Sequence, residues 1–404
     1  MEPDSPQILY LNTAAGDRIQ AMTLAGIRRY AGARGWEDMA VPWQESRPED
    51  VAPLLKAHRP VAGCVVDCSD GNTHLPPRLF RHIPVVYLHA APSLHGGRIA
   101  RVSADNEAVA RAAFRELSAG RPAAYAVVGA CWDVEWAGKR IEAFSALCGE
   151  AGMSCHTFPF REEPEIERME RLARFVEELP QKTAIFAVND RIATEVVAAA
   201  KASRRDIPRE LTLLGVDNDL TVCETSEPAI SSIQLDHERA GYVAARMIGN
   251  KTSHRDTETR SRNANLRVSV APCDPKTFFI APLLAVRRRS TGGAGRREKF
   301  VLEAVEMIRR EACDGLTAMT LARRFRCSRR LFNLRFREAT GHSVLDEIQY
   351  VRLEKVFALL SGTDTAIGAI ADFCGFGSGV ELRRVFRARM GKSLREWRKE
   401  NSHT

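Results

Sequence analysis

Nowhere does this 404-residue chain run apolar for the roughly 18 residues that a membrane-spanning helix needs, which argues against a helical membrane protein. It does not open with a basic cluster and an apolar stretch either. The first residues, MEPDSPQILYLN, are acidic, so no secretory leader is expected and the reading is a cytoplasmic protein with no membrane partner. Ten cysteines lie at 64, 68, 131, 148, 155, 223, 273, 313, 327 and 374, and none forms a C-x-x-C pair. Buried, reduced thiols are expected rather than a zinc or redox site. Cys64 and Cys68 lack nearby histidines to complete a metal site. Catalytic signatures are missing as well: no G-x-S-x-G, no H-E-x-x-H, no G-x-x-x-x-G-K-[ST] and no G-x-G-x-x-G after an apolar run. No cofactor, no metal and no enzyme activity are expected.

What is present is ordinary in amount and uneven in place. Apolar residues make up 45% and charged residues 27%, enough for a sizeable core, and the length suggests two or three domains. Residues 286–404 hold 25 Lys/Arg against 14 Asp/Glu; from totals of 59 and 51, that leaves 34 against 37 upstream. The net charge of +8 is therefore −3 for the first 285 residues and +11 for the last 119. The excess is nearly all arginine, the cation suited to phosphate and to guanine edges. A merely solvated basic face is the competing reading of that charge.

The patterning changes at the same place. Before it, QILYLN (7–12), AGCVVD (62–67), IPVVYLH (83–89), AAYAVVGA (123–130), TAIFAVND (183–190) and LTLLGVDN (211–218) read as buried parallel strands. Helical stretches alternate with them, among them 106–117, 139–152 and 190–203. Strand and helix in alternation predict an α/β architecture, and its size predicts two similar lobes over residues 5–285. VRRRSTGGAGRREK, charged and Gly-rich, reads as a linker at 286–297. Residues 298–404 carry only helical patterns and predict an all-α domain.

That second domain repeats itself. FREATGHS (336–343) and FRARMGKS (386–393) share F-R-x-x-x-G-x-S at an offset of 50, and each Phe follows a serine by eight residues, Ser328 and Ser378. Leu382, Val385, Phe386 and Met390 make one helical face, with Arg383, Arg384 and Arg387 turned away from it. Ser378 is placed to cap that helix, after a turn containing Gly375. The first copy exposes Arg329, Arg330, Asn333 and Arg337 in the same way. Two helix–turn–helix units, at about 317–341 and 366–391, are the reading. These residues, with Ser378, Gly379 and Glu381 at the start of the second helix, form the candidate contact set for double-stranded DNA.

The last 105 or so residues resemble the DNA-binding domain of AraC-type regulators, which carries two such units joined by a long helix, here SVLDEIQYVRLEKVFALL. The tail IGAIADFCGFGSGVELRRVFRARMGKSLREWR resembles that family's signature. One position departs from it: Arg326 stands where the family usually has glycine in the first turn. Upstream, FAVND (186–190), LGVDND (214–219), SSIQLDHERAGYVAARMI (231–248) and VRRRST (286–291) resemble the effector domain of LacI-type regulators, akin to periplasmic sugar-binding proteins. The combination is similar to the bacterial xylose regulators from about residue 7 to 400, and WAGKRIEAF (136–144) fits that likeness. The resemblance implies a sugar-responsive transcription activator, a homodimer that works with RNA polymerase, and a small sugar effector with xylose as first candidate.

The residues agree with a sugar cleft. Ligands of open α/β sheets bind beyond the carboxyl ends of the strands. Asp190 and Asp217 end two predicted strands, with Asn189 and Asn218 beside them, and offer partners for vicinal hydroxyls. Arg140 would supply donors and Trp136 an apolar face for a sugar ring; Asn12 ends the first strand. Asp17 and Asp67 are weaker candidates. Helix capping competes as the role of Asp190 and Asp217, a surface position competes for Arg140, and plain packing for Trp136. A transport binding protein and a carbohydrate-active enzyme, with Asp190 and Asp217 as a carboxylate pair, are the alternative classes.

Overall fold

The computed structural model describes residues 5–401 apart from 14–16, 59, 70–74, 81, 90–98, 131–133, 160, 253–276, 293–295 and 363–364. Five strands open the chain: β1 (Gln7–Thr13), β2 (Glu37–Pro42), β3 (Val61–Asp67), β4 (Val85–Leu88) and β5 (Ala100–Ala104). Helices α1 (Arg18–Ala33) and α2 (Val51–Ala57) lie between them. Then come α3 (Asn106–Ser118), β6 (Ala124–Val128), α4 (Glu135–Glu150), β7 (Cys155–Phe158), α5 (Glu165–Glu178), β8 (Thr183–Ala187), α6 (Asp190–Ala202), β9 (Leu211–Val216), α7 (Leu220–Cys223) and β10 (Ser231–Gln234). α8 (His237–Thr252), β11 (Thr277–Ile280) and β12 (Leu284–Val286) close the α/β part.

Two six-stranded sheets result, in the orders β11-β5-β4-β3-β1-β2 and β12-β10-β9-β8-β6-β7. All pairings are parallel except β10 with β12. The expected strands are all present, and central ones such as β6 and β8 are buried at every position, as a sheet covered on both faces requires. The lobes are discontinuous in sequence: α8 packs against the first sheet, and β11 joins it. The chain therefore crosses between lobes three times, after β5, after β10 and after β11. α8 lies so close to α1 that a Cβ on Gly26 would sit 1.7 Å from Glu238 O, and one on Gly241 1.9 Å from Thr23 O. Only glycines permit that crossing, and it makes α1 and α8 one unit.

The stretch expected to be a linker is partly built into the second lobe. Ser290 is fully buried, donates to Leu213 O at 2.6 Å and accepts from Ser231 N at 2.8 Å, while Arg288 N donates to Ser231 Oγ at 2.7 Å. Local composition does not reveal that these hydroxyls serve as internal hydrogen-bond partners.

Among the described residues seven helices follow: α9 (Arg296–Glu311), α10 (Ala318–Arg324), α11 (Arg329–Thr340), α12 (Val344–Gly362), α13 (Ile367–Phe373), α14 (Gly379–Met390) and α15 (Leu394–Asn401). Phe332 and Phe336 of α11 anchor one apolar cluster, Leu382, Val385 and Phe386 of α14 another, and α12 contributes to both. Each of these buried side chains stabilises its cluster by roughly 1.5–3 kcal/mol. Among the described residues no helix is long and apolar enough to cross a membrane.

Candidate functional site

The carboxyl ends of β3 and β4 in one lobe and of β8 and β9 in the other face each other, where open α/β sheets take ligands: His89 there lies within electrostatic reach of Asp67, Arg140, Asp217 and His237. From the first lobe come Asp67, the last residue of β3, and His89, just past β4. Asp67 is buried and already engaged, accepting from Tyr10 Oη at 2.5 Å, Ser69 Oγ at 2.6 Å and Ser69 N at 2.9 Å. His89 holds a left-handed backbone, φ 56°. Burial pushes its imidazole down to about 4, Asp67 and Asp217 opposing and His237 and Arg140 reinforcing. It is neutral at pH 7, with one ring nitrogen to donate and one to accept.

The second lobe supplies the charge. Asp217 follows β9 directly and takes φ 105°, a conformation rarely tolerated outside glycine and held only when the surroundings impose it. Its Oδ1 lies 3.6 Å from Nε2 of His237, the first residue of α8. Burial alone would raise its pKa, but His237, Arg140 and His89 together hold it below the usual carboxylate value. Asp217 is therefore ionised, and its side chain keeps 14% of its surface exposed. Asp190, which opens α6, is enclosed, and burial followed by the Asp217 charge pushes it up to about 8. Its Oδ2 accepts from Asp219 N at 2.8 Å, bracing the turn that carries Asp217, while its Oδ1 has no hydrogen-bond partner among the described residues. Two aspartates near each other thus differ in state: one mostly protonated, one charged.

Arg140 is not the surface residue that a helix position allowed. It is buried, with Nε donating to Asn106 Oδ1 at 3.0 Å and Nη1 to Val188 O at 2.6 Å. Its guanidinium lies 4.8 Å over the Trp136 ring, so one indole face is taken. Trp136 Nε1 donates to Ser69 O at 3.1 Å, a bond from one lobe to the other.

Other expected ligands have different work. Asn218 is not free to meet a ligand: its Nδ2 donates to Gln234 Oε1 at 2.8 Å and its Oδ1 accepts from Arg288 Nη2 at 2.7 Å. Asn189 caps α6 through Ile192 N at 2.9 Å, which uses its Oδ1 and not its Nδ2. Asp17 caps α1. Asn12 lies in β1, and its side chain is outside the described residues. Sequence reasoning misses His89 and His237. Their only signal in sequence is position, one ending a strand and one opening a helix.

In the helical domain both recognition helices present arginines. Arg329, Arg330 and Arg337 on α11, and Arg383, Arg384 and Arg387 on α14, are all exposed. Ser328 accepts from Leu331 N at 3.3 Å and Ser378 from Glu381 N at 3.1 Å, so each caps its helix. Gly379 lies next to that cap and is half-buried. Two candidates carry structural bonds as well. Glu381 Oε2 accepts from Gly377 N at 2.9 Å, bracing the residue before the Ser378 cap. Asn333 Oδ1 accepts from Val344 N at 3.1 Å and fastens α11 to the start of α12. Helical periodicity could not foresee a partner eleven residues on.

The turns differ as the sequence suggested. Arg326 and Gly375 each follow the residue that ends a bracing helix, Phe325 and Cys374, and are left-handed, φ 49° and φ 73°. The same pair of turn bonds forms in each: Arg326 N to Arg323 O with Cys327 N to Ala322 O, and Gly375 N to Asp372 O with Phe376 N to Ala371 O. A Cβ on Gly375 would approach Cys313 O to 2.7 Å. Gly375→Ala is expected to cost roughly 2–4 kcal/mol from strain plus crowding. Arg326→Gly is expected to gain roughly 0.5 kcal/mol once glycine's extra unfolded freedom is subtracted. Urea melts of the two variants check both signs.

Comparison with known proteins agrees with this fold. Residues 112–270 match a periplasmic binding protein-like domain, and residues 321–400 a helix-turn-helix domain. The chain is similar to the Xylose operon regulatory protein of Escherichia coli (strain K12), 26% identical over 307 residues, 74% of each chain. The protein of that name from Haemophilus influenzae is 24% identical over 238 residues, 58% of this chain and 56% of that one. Among solved structures, one described as that of the xylose-binding transcription activator xylR matches with TM-score 0.55 at 22% identity, covering 99% of this chain and all of the other. A complex of the transcriptional regulator CelR with cellobiose matches with TM-score 0.55 at 17% identity, covering 71% and 86%. The fold is a two-lobed binding-protein-like domain carrying a helix–turn–helix domain.

Proposed function

We propose that this chain, a sugar-responsive, DNA-binding transcription regulator homologous to the xylose operon regulatory proteins, activates sugar-catabolic genes when a small aldose, xylose first, fills its cleft. The observation that carries the reading is the ionised Asp217, ringed by Arg140, His89 and His237, at the strand ends of two lobes. A carboxylate accepts two hydroxyl hydrogens at once, and the neutral His89 offers a donor and an acceptor to a third. Hydroxyls bonded from both lobes favour the closed arrangement, and linkage makes that preference felt at the DNA. The chain acts in the cytoplasm as a homodimer, and RNA polymerase is the partner of an activator.

The test is operator affinity by fluorescence anisotropy, with and without D-xylose, L-arabinose, D-ribose and D-glucose. One aldose is expected to change it by about fivefold or more, the lower range of measured couplings. The aldose should come back chemically unchanged; turnover would put the carbohydrate-active enzyme class in its place. If no aldose alters DNA affinity, the effector reading fails.

A further inference from the structure

The DNA-binding domain rests on both lobes at once. Leu284 and Val286 of β12, at the edge of the second sheet, are buried in the same apolar cluster as Val305 and Ile308 of α9, Phe332 of α11 and Ile348 of α12. Ala358 of α12 is buried instead with Ile27, Tyr30 and Tyr242 of the first lobe. Polar contacts reinforce that second dock. Arg29 of α1 pairs with Glu354 at 2.8 Å, Tyr242 donates to Glu354 O, and the Arg239 guanidinium lies 3.9 Å over the Tyr350 ring.

Between the docks lies a hinge. The chain passes from β10 of the second lobe to α8 of the first at Leu235 and Asp236. Arg309 of α9 reaches this pivot, donating from Nη2 to Asp236 Oδ1 at 2.5 Å and from Nη1 to Glu238 Oε2 at 3.1 Å. The residue between those two acids is His237, which faces Asp217 at 3.6 Å. Cleft and clamp thus occupy adjacent residues of one chain segment.

We infer that the clamp of Arg309 on Asp236 and Glu238 carries effector occupancy to the DNA-binding domain, an inference that rests on the effector reading above. A change in lobe angle must turn β10 against α8 about residues 235–237. The clamp ties α9 to that pivot, β12 ties the first unit to one lobe, and Ala358 ties α12 to the other. The lobe angle and the placement of α11 and α14 therefore cannot change independently. Both lobes pull on one rigid body, and such an element has the two-state character that coupling requires.

The experiment uses the full chain carrying Arg309→Gln together with Asp236→Asn. Removing Arg309 and Asp236 together leaves neither facing the other's buried charge alone, and Glu238 keeps Arg29 at 3.3 Å. The amide oxygen of the introduced asparagine can still accept from Arg239 N, as Asp236 does at 3.1 Å. The probe is whichever of D-xylose, L-arabinose and D-ribose most stabilises the wild type. The operator is a duplex selected from random sequence by the wild type. Aldose affinity and sugar-free operator affinity are expected to stay within about threefold of wild type, while the factor by which aldose changes operator affinity falls to within about twofold of one. The variant Arg28→Gln with Asp38→Asn, an ion pair of the first lobe whose arginine is exposed, should keep the full factor. A double variant that keeps the wild-type factor overturns the inference, and so does one that loses aldose affinity, since the clamp would then merely support the cleft. If the double variant does not fold, Arg309→Lys decides: a factor cut by about threefold or more supports the clamp, and an unchanged factor overturns it. A wild type that shows no aldose effect fails the effector reading itself, before any variant is measured.

Discussion

Asp217→Asn is expected to abolish stabilisation by aldose while leaving the chain folded. At 100 times its dissociation constant, a ligand adds about 2.7 kcal/mol to the native state, which for a domain of this size is roughly 5–10 °C in melting temperature. That shift should vanish in the variant. Asparagine is the informative replacement because it tolerates a positive φ nearly as well as aspartate, so the backbone at φ 105° is kept. What is lost is the charge that Arg140, His89 and His237 hold ionised. A hydrogen bond to a charged group contributes about 1.5–3 kcal/mol, and a carboxylate accepting two hydroxyls makes two of them. Affinity should fall by about 100-fold or more, read by calorimetry. Asn218→Ala serves as contrast: its side chain binds Gln234 and Arg288, so it should lower stability more than sugar affinity. If Asp217→Asn retains wild-type sugar affinity, the ligand sits elsewhere.

The contrast between Asp217 and Asn218 also shows how far the sequence could be read. Strand ends were legible because central parallel strands are continuous apolar runs, as in β8 and β9. Strands with mixed polarity were not: β5 alternates buried and half-buried positions, and β2 is largely exposed at an edge. Past the end of β9 both Asp217 and Asn218 leave the extended conformation, φ 105° and φ 54°, and one of these neighbours meets the cleft while the other binds the scaffold. No periodicity decides which. His89 and His237 stayed hidden because each lobe is assembled from segments far apart in the chain, and only the three crossings bring them together. In the helical domain the repeat itself was legible, down to the left-handed turn at Arg326. The capping duties of Glu381 and Asn333 were not, since each depends on where the backbone returns.

DNA binding by the intact chain should weaken by about 1,000-fold between 50 and 200 mM salt. Six exposed arginines, Arg329, Arg330, Arg337, Arg383, Arg384 and Arg387, project from α11 and α14. Six phosphate contacts predict a slope of about −5.4 in log affinity against log salt. α12 joins the two units with 19 residues, about 28 Å of rigid helix. That length suits two recognition helices entering successive major-groove segments about 34 Å apart on one face of the duplex. An alanine scan against a selected operator then separates two roles. A side chain that meets only phosphate should weaken every sequence alike and flatten the slope by about 0.9. One that reads a base edge should cost about 1–3 kcal/mol and relax preference at a single base pair. The first unit, with a turn one residue shorter and a strained Arg326 in place of glycine, should contribute less sequence preference than the second. Footprinting checks the geometry: protection of the same half-turn by both units, or a scan of α14 that leaves sequence preference intact, would show that the two helices do not read adjacent grooves.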